Sequence, residues 1–183
     1  MRIIAGEFAS RKLLTREGME TRPTLDKVKE AVFSSLGTYF DGGTVLDLYA
    51  GSGAIGLEAL SRGMRKAIFV DSSRDAIRVI KENVNALKVN DRCRILNMKA
   101  QAALEILQEE DIKADLIYLD PPYAKQRMND ILAFLDSSDI IKNGSLILLE
   151  SSKDDSFEAD LNRIYKYKEK VYGITRITYC TVR

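Results

Sequence analysis

The sequence predicts an α/β fold: a mostly parallel seven-stranded sheet with helices on both faces and an antiparallel hairpin at the end. Three observations carry that prediction. Short apolar runs that stop at or near a carboxylate, TVLDL (44–48), AIFVD (67–71) and DLIYLD (115–120), alternate with stretches of helical period. A glycine-rich turn, AGSGAIG (50–56), joins the first run to a helix. Residues 165–182 alternate polar and apolar about Gly173, the period of a hairpin. Strands that alternate with helices pair in parallel, because each crossover helix returns the chain to the same edge.

Taken in order, residues 1–22 alternate around Gly6 and predict a small N-terminal hairpin, outside the alternating core, that carries Arg11 and Lys12. Arg22-Pro23-Thr24 opens a helix that runs to Leu36. Val45, Leu46 and Leu48 mark a buried strand, and Gly51, Gly53 and Gly56 have G-x-G-x-x-G spacing. Ala54–Ser61 then reads as a helix through Ile55, Leu57, Ala59 and Leu60. The second strand is 67–71, followed by a helix whose apolar positions are Ala76, Ile77, Ile80, Val84 and Leu87. Residues 94–98 form a third strand, Ala103, Leu104 and Leu107 a helix, and 115–119 the fourth strand. Ile131, Leu132 and Leu135 mark the next helix and SLILLE (145–150) the fifth strand, before the hairpin.

With 183 residues, 45% of them hydrophobic, the chain can bury one sizeable core. A single domain over 1–183 is expected, with 1–22 an extension and 23–183 the core. No apolar run approaches the roughly 18 residues of a membrane span, and the first residues lack the apolar stretch of a signal peptide. Cys93 and Cys180 are not spaced as a C-x-x-C pair and fit inert thiols in a reducing cytoplasm. There is no histidine, which excludes a Ser-His-Asp triad, an H-E-x-x-H zinc site and a histidine base. No metal is expected. The net charge is +1, but residues 163–183 hold six Arg/Lys against Glu169, and residues 1–22 hold five against three Glu. Lysines near the C-terminus fit a strand edge protected from pairing, and the N-terminal cations fit contact with nucleic-acid phosphate.

The chemistry concentrates at three strand ends. Pro121 and Pro122 stop the fourth strand in a stiff extended turn, since neither donates a backbone hydrogen bond. Asp120 and the Pro121 carbonyl are then free to accept protons, and Tyr123 offers a π-face beside them. An exocyclic amine on a flat base needs such acceptors and such a ring; the plainer reading is a proline turn with Tyr123 packed on it. Asp47 lies four residues before Gly51. A carboxylate there repels a pyrophosphate but suits S-adenosylmethionine, which has no phosphate and carries an amino group and a sulfonium. Its plainer role is to bond the turn backbone. Asp71, twenty residues after Gly51, is placed to accept the ribose hydroxyls of an adenosine, or else to cap the next helix, a task open also to Ser72 or Ser73.

These marks, in this order, resemble the class I S-adenosylmethionine-dependent methyltransferases, a Rossmann-like fold. The closer resemblance is to the RsmD-type family, the small-subunit (16S) ribosomal RNA guanine-N2 methyltransferases. It covers nearly the whole chain, through Arg2-Ile3-Ile4-Ala5-Gly6, Arg22-Pro23-Thr24, DLYAGSGAIGLEALSRG and DPPY. The long glycine motif and the RPT segment together are specific, whereas DPPY is shared with adenine and glutamine N-methyltransferases. The resemblance implies methyl transfer to the exocyclic amine of a guanosine, with ribosomal RNA as partner, free or within an assembling small subunit. It implies that Asp47, Gly51, Ser52, Gly53 and Asp71 hold the cofactor and that Asp120, Pro121 and Tyr123 act on the base. Arg11, Lys12, Arg22 and Pro122 are expected against the RNA. Relatives carry an acidic residue before the small residue that follows the third strand. Here Lys99 precedes Ala100, so the Ala100 backbone is expected to take the adenine contact. Two other functions compete. Adenine-N6 methylation of DNA or RNA is compatible with DPPY, but a DNA enzyme usually needs a recognition domain for which this chain has no length. A NAD-dependent oxidoreductase is disfavoured by Asp47, and a non-catalytic module by the intact DPPY.

Overall fold

Helices and strands alternate along the chain in the order the apolar runs require. The computed structural model describes residues 1–16, 23–122, 124–155, 157 and 159–183, with the backbone alone at 23–25 and 124–126. The order is α1 (Pro23–Leu36), β1 (Thr44–Leu48), α2 (Ala54–Ser61), β2 (Lys66–Asp71), α3 (Arg74–Leu87), β3 (Cys93–Asn97), α4 (Ala100–Glu109), β4 (Ala114–Leu119), α5 (Ala124–Ser137), β5 (Ile141–Ser152), β6 (Ile164–Tyr172) and β7 (Thr175–Val182). The largest departure from the sequence reading is β5. It begins four residues early, because Ile141 pairs with Ala114 before the ladder shifts register and resumes at Leu116–Leu146. Exposed Lys142, Asn143 and Gly144 give that stretch the look of a loop.

One seven-stranded sheet has the order β3-β2-β1-β4-β5-β7-β6. The first five strands in chain order run parallel, and β7 enters antiparallel between β5 and β6. The order reverses between β1 and β4. In an open α/β sheet the carboxyl ends of the strands at such a reversal form a crevice, the usual place for a ligand.

Strand period two sends alternate side chains to opposite faces, and each face has its own core. Val45, Phe69, Leu116, Leu148 and Ile177 pack with Val32, Phe33, Leu57 and Ile80 of α1, α2 and α3. Leu46, Ile68, Ile117, Leu119 and Leu149 pack with Leu104, Leu107, Leu132 and Leu135 of α4 and α5. The glycine turn fits this packing closely. A Cβ on Gly56 would stand 2.4 Å from the Phe69 ring, so only glycine lets α2 lie this near the sheet. Cys93 and Cys180 are unpaired, and burial pushes both thiols up to about 12, which keeps them protonated and unreactive.

The N-terminal segment turns back on itself as expected, but through a single antiparallel bridge, Arg2 to Lys12, rather than two strands. Nor is it peripheral. Ile3 is fully buried and Leu13 nearly so. The Ile4 and Ala5 amides donate to the two carboxylate oxygens of Glu58 on α2, at 2.9 and 3.1 Å. Glu58 also accepts from Arg62 at 2.7 Å and pairs with Lys29 of α1 at 2.9 Å, with all three side chains nearly inaccessible. The segment lies outside the alternating strands and helices, but its apolar residues and backbone are built into the core.

Candidate active site

Register decides which side chains meet at the crevice. In the β1–β4 ladder Asp47 pairs with Tyr118, and in the β4–β5 ladder Tyr118 pairs with Leu148. In-register neighbours share a face, and so do residues two apart on one strand. Asp47, Tyr118, Asp120 and Glu150 therefore share the face covered by α1, α2 and the N-terminal segment. They line one cavity of about 200 Å³, together with Tyr49, Gly51, Ser52, Arg16 and Lys29. A second cavity, of about 610 Å³, lies against the ends of β2 and β3 and is lined by Tyr49, Asp71, Met98, Lys99, Ala100 and Ile131 among others.

Among the described residues no cation forms an ion pair with the carboxylates of the first cavity. Burial pushes Asp47 up to about 8, against one hydrogen bond from the Gly56 amide at 3.0 Å, with Asp120 and Asp71 adding repulsion. Burial, then the Glu150 charge, pushes Asp120 up to about 7. Burial raises Glu150 as well, against the hydrogen bond donated by the Tyr118 hydroxyl. Lys29, the buried cation nearby, is committed to Glu58 and to the Arg2 carbonyl. Asp47 is buried, Glu150 half-buried and Asp120 open to solvent, and three carboxylates so gathered favour a positively charged ligand, which supports their ionised forms. A sulfonium and an amino group meet that requirement, and a pyrophosphate does not.

The second cavity suits an adenosine. Asp71 Oδ2 accepts from the Gly51 amide at 2.9 Å and Oδ1 from the Ser73 amide at 2.8 Å. A carboxylate has about four acceptor positions, so each oxygen keeps capacity for a ribose hydroxyl. Ser73, not Asp71, caps α3, through its side chain to Ala76. Apolar Met98, Ala100 and Ile131 provide flat walls for a base. Lys99 sits at the N-cap of α4 without a side-chain capping bond, and Ala100, buried, follows it.

Pro121 is buried and Pro122 exposed beside Asp120, as the sequence reading placed them, while Tyr123 and Arg22 lie outside the described residues. Gly51, Ser52 and Gly53 form the turn, with Gly51 and Gly53 at φ 58 and 77. Arg11 and Lys12 are exposed and line neither cavity, and one Arg11 nitrogen donates to the Ala86 carbonyl at 2.9 Å. Sequence reasoning missed Glu150, Tyr118, Lys29 and Tyr49. Tyr49 lines both cavities with a left-handed φ of 64, a strained choice for a bulky residue and a mark of functional positions.

The model of the family described as "Conserved hypothetical protein 95" matches residues 1–181. The chain belongs to this family. It is 36% identical over 177 residues to YlbH, a candidate rRNA methyltransferase of Bacillus subtilis, covering 97% of this chain and 96% of that protein. It is 34% identical over 179 residues to ribosomal RNA small subunit methyltransferase D of Haemophilus influenzae, covering 95% and 90% respectively. Among solved structures, a Thermus thermophilus protein superposes with TM-score 0.83 at 27% identity, over 100% of this chain and 99% of that one. The RsmD family resemblance read from the motifs is thus upheld, and with it the class I methyltransferase fold.

Within this family's architecture, Asp71→Ala should weaken S-adenosylmethionine binding by about 1–3 kcal/mol, the cost of leaving buried polar groups unpaired. Calorimetry measures it directly. An unchanged affinity would show that Asp71 serves only the Gly51 and Ser73 amides.

Proposed function

We propose that this protein transfers a methyl group from S-adenosylmethionine to the exocyclic N2 amine of a guanosine in small-subunit ribosomal RNA. The observation that carries the reading is Asp120 at the tip of β4, followed by two prolines and sharing a cavity with Asp47, in a chain of the RsmD family. S-adenosylmethionine, when bound, supplies an electrophilic methyl on a good leaving group. The protein's part is alignment and proton handling. Asp47 and the 51–53 turn hold the charged end of the cofactor, and Asp71 and Ala100 its adenosine. Asp120 and the Pro121 carbonyl accept hydrogen bonds from the target amine, which raises electron density on a nitrogen whose lone pair is otherwise drawn into the ring. Asp120 takes the proton as the nitrogen attacks.

Methylation assays on 16S RNA and on small-subunit particles, with nucleoside analysis of the product, test the reading. N2-methylguanosine is expected. N6-methyladenosine would establish the competing adenine reading, and no methyl incorporation into either substrate would overturn both. The substrate we favour is RNA within an assembling subunit in the bacterial cytoplasm. Among the described residues no helix is long and apolar enough to cross a membrane.

Arg11 and Lys12, exposed and outside both cavities, are read as phosphate contacts. The double variant Arg11→Ala, Lys12→Ala should weaken RNA binding and flatten its log–log salt slope by about one to two contacts, with cofactor affinity unchanged. Both side chains are exposed, so stability should barely move. The check is RNA affinity at several salt concentrations; an identical slope would assign the contact elsewhere.

A further inference from the structure

The β4–β5 register sets Glu150 beside Asp120. Leu119–Leu149 is the last pair of that parallel ladder, and Asp120 and Glu150 follow it on the two chains into one cavity. Glu150 is fixed further by Tyr118, whose hydroxyl donates to its Oε2. Tyr118 is 4% exposed, and all three side chains line the same cavity. Cofactor binding and alignment of the amine use Asp47, Asp71, Asp120 and the glycine turn. They leave unexplained why a second carboxylate, tethered by a buried tyrosine, should stand next to the base at a cost in burial.

We propose that Glu150, held by the Tyr118 hydroxyl, is a positioning residue whose charge keeps Asp120 basic enough to receive the proton of the attacking amine. The inference rests on the methyl-transfer reading of the site. A carboxylate next to another ionises reluctantly, and a hydrogen bond donated to one member favours the charged form of that member. The Tyr118 hydroxyl therefore favours the charged form of Glu150, and that charge raises the proton affinity of Asp120. Burial and Glu150, in that order, are the causes that lift Asp120 to about 7. In the transfer step the N–H electron pair stays on the amine nitrogen, the proton adds to an Asp120 oxygen, and it later leaves to water. The other charged or titratable groups around the cavity are Asp47 on β1, Tyr49 after β1, Lys29 on α1, and the Met1 amine and Arg16 on the N-terminal segment, with Asp71 on β2 acting on Asp47. Lys29 is neutralised by Glu58. Among the described residues no ion pair links Arg16 to an acid.

The test uses the full chain with ¹³C-labelled aspartate and glutamate carboxyls, titrated by NMR, the Asp120 signal being assigned by its loss in Asp120→Asn. Glu150→Gln keeps an oxygen for the Tyr118 hydroxyl but removes the charge. It should lower the Asp120 midpoint by at least about one pH unit, a tenfold change in proton affinity. The acid limb of kcat against pH should move down with it. Tyr118→Phe should raise the Glu150 midpoint, and Glu150→Asp should restore part of the wild-type profile. An Asp120 midpoint that stays put in folded Glu150→Gln overturns the proposal, and so does a shifted midpoint with an unmoved kcat limb. Failure of the methyl-transfer reading shows differently, as a wild-type protein that methylates no ribosomal RNA while the NMR shift on Glu150→Gln persists; that outcome removes the catalytic role.

Discussion

Asp120→Ala is expected to lower methyl transfer by about 10²–10⁴-fold, the usual share of a positioned acid–base group, while S-adenosylmethionine binds almost as before. The carboxylate stands at the tip of β4 beside the two prolines, whereas the cofactor contacts we propose fall to Asp47, Asp71 and the 51–53 turn. Single-turnover rates beside calorimetric affinities decide between the two roles. A loss of cofactor affinity as large as the loss of rate would make Asp120 a cofactor ligand.

Glu58→Ala should cost about 3–5 kcal/mol, a large fraction of the stability of a domain this size. Lys29 and Arg62 are 3% and 2% exposed, and both would be left as buried charges without their anion. The Ile4 and Ala5 amides would lose their acceptor as well. Glu58→Gln, which keeps an acceptor oxygen, should fall between the two. Urea unfolding measures the difference, and a loss below about 1 kcal/mol would falsify the view that this network holds the N-terminal segment. Removing residues 1–14 should destabilise the fold as well, because Ile3 and Leu13 leave the core with them.

Asp47, Asp71 and Asp120 are legible in the sequence because each interrupts or ends an apolar run, and a carboxylate in such a place needs a reason. Glu150 ends SLILLE in the same way but draws no notice, since no proline, aromatic or glycine punctuates it. Tyr118 reads as core, which it is, and its hydroxyl matters only once β4 lies beside β5 in a particular register. Lys29 reads as an ordinary cation on a helix surface. Its partner Glu58 is 29 residues away, and nothing local joins them. The glycine motif, by contrast, is readable to the residue, since φ near 58 and 77 and the approach of Phe69 to Gly56 demand glycine from within a few positions. Local constraints leave local marks, and partnerships made across the sheet leave none.

The antiparallel insertion of β7 has a consequence for when this protein first becomes competent. Glu150 lies on β5, and β5 has β7 as its neighbour on one side, with Glu150 itself opposite Ile177. During synthesis the chain can lay down β1 to β5 in sequence, but one edge of β5 stays open until residues 175–182 have emerged and slotted in before β6. Such late, distant pairing is slow compared with local folding. Every strand that bears a site carboxylate has been made by residue 152, yet the wall that holds one of them is finished only by β7. A nascent chain that has not reached residue 175 would thus carry the parts of the site without its final geometry.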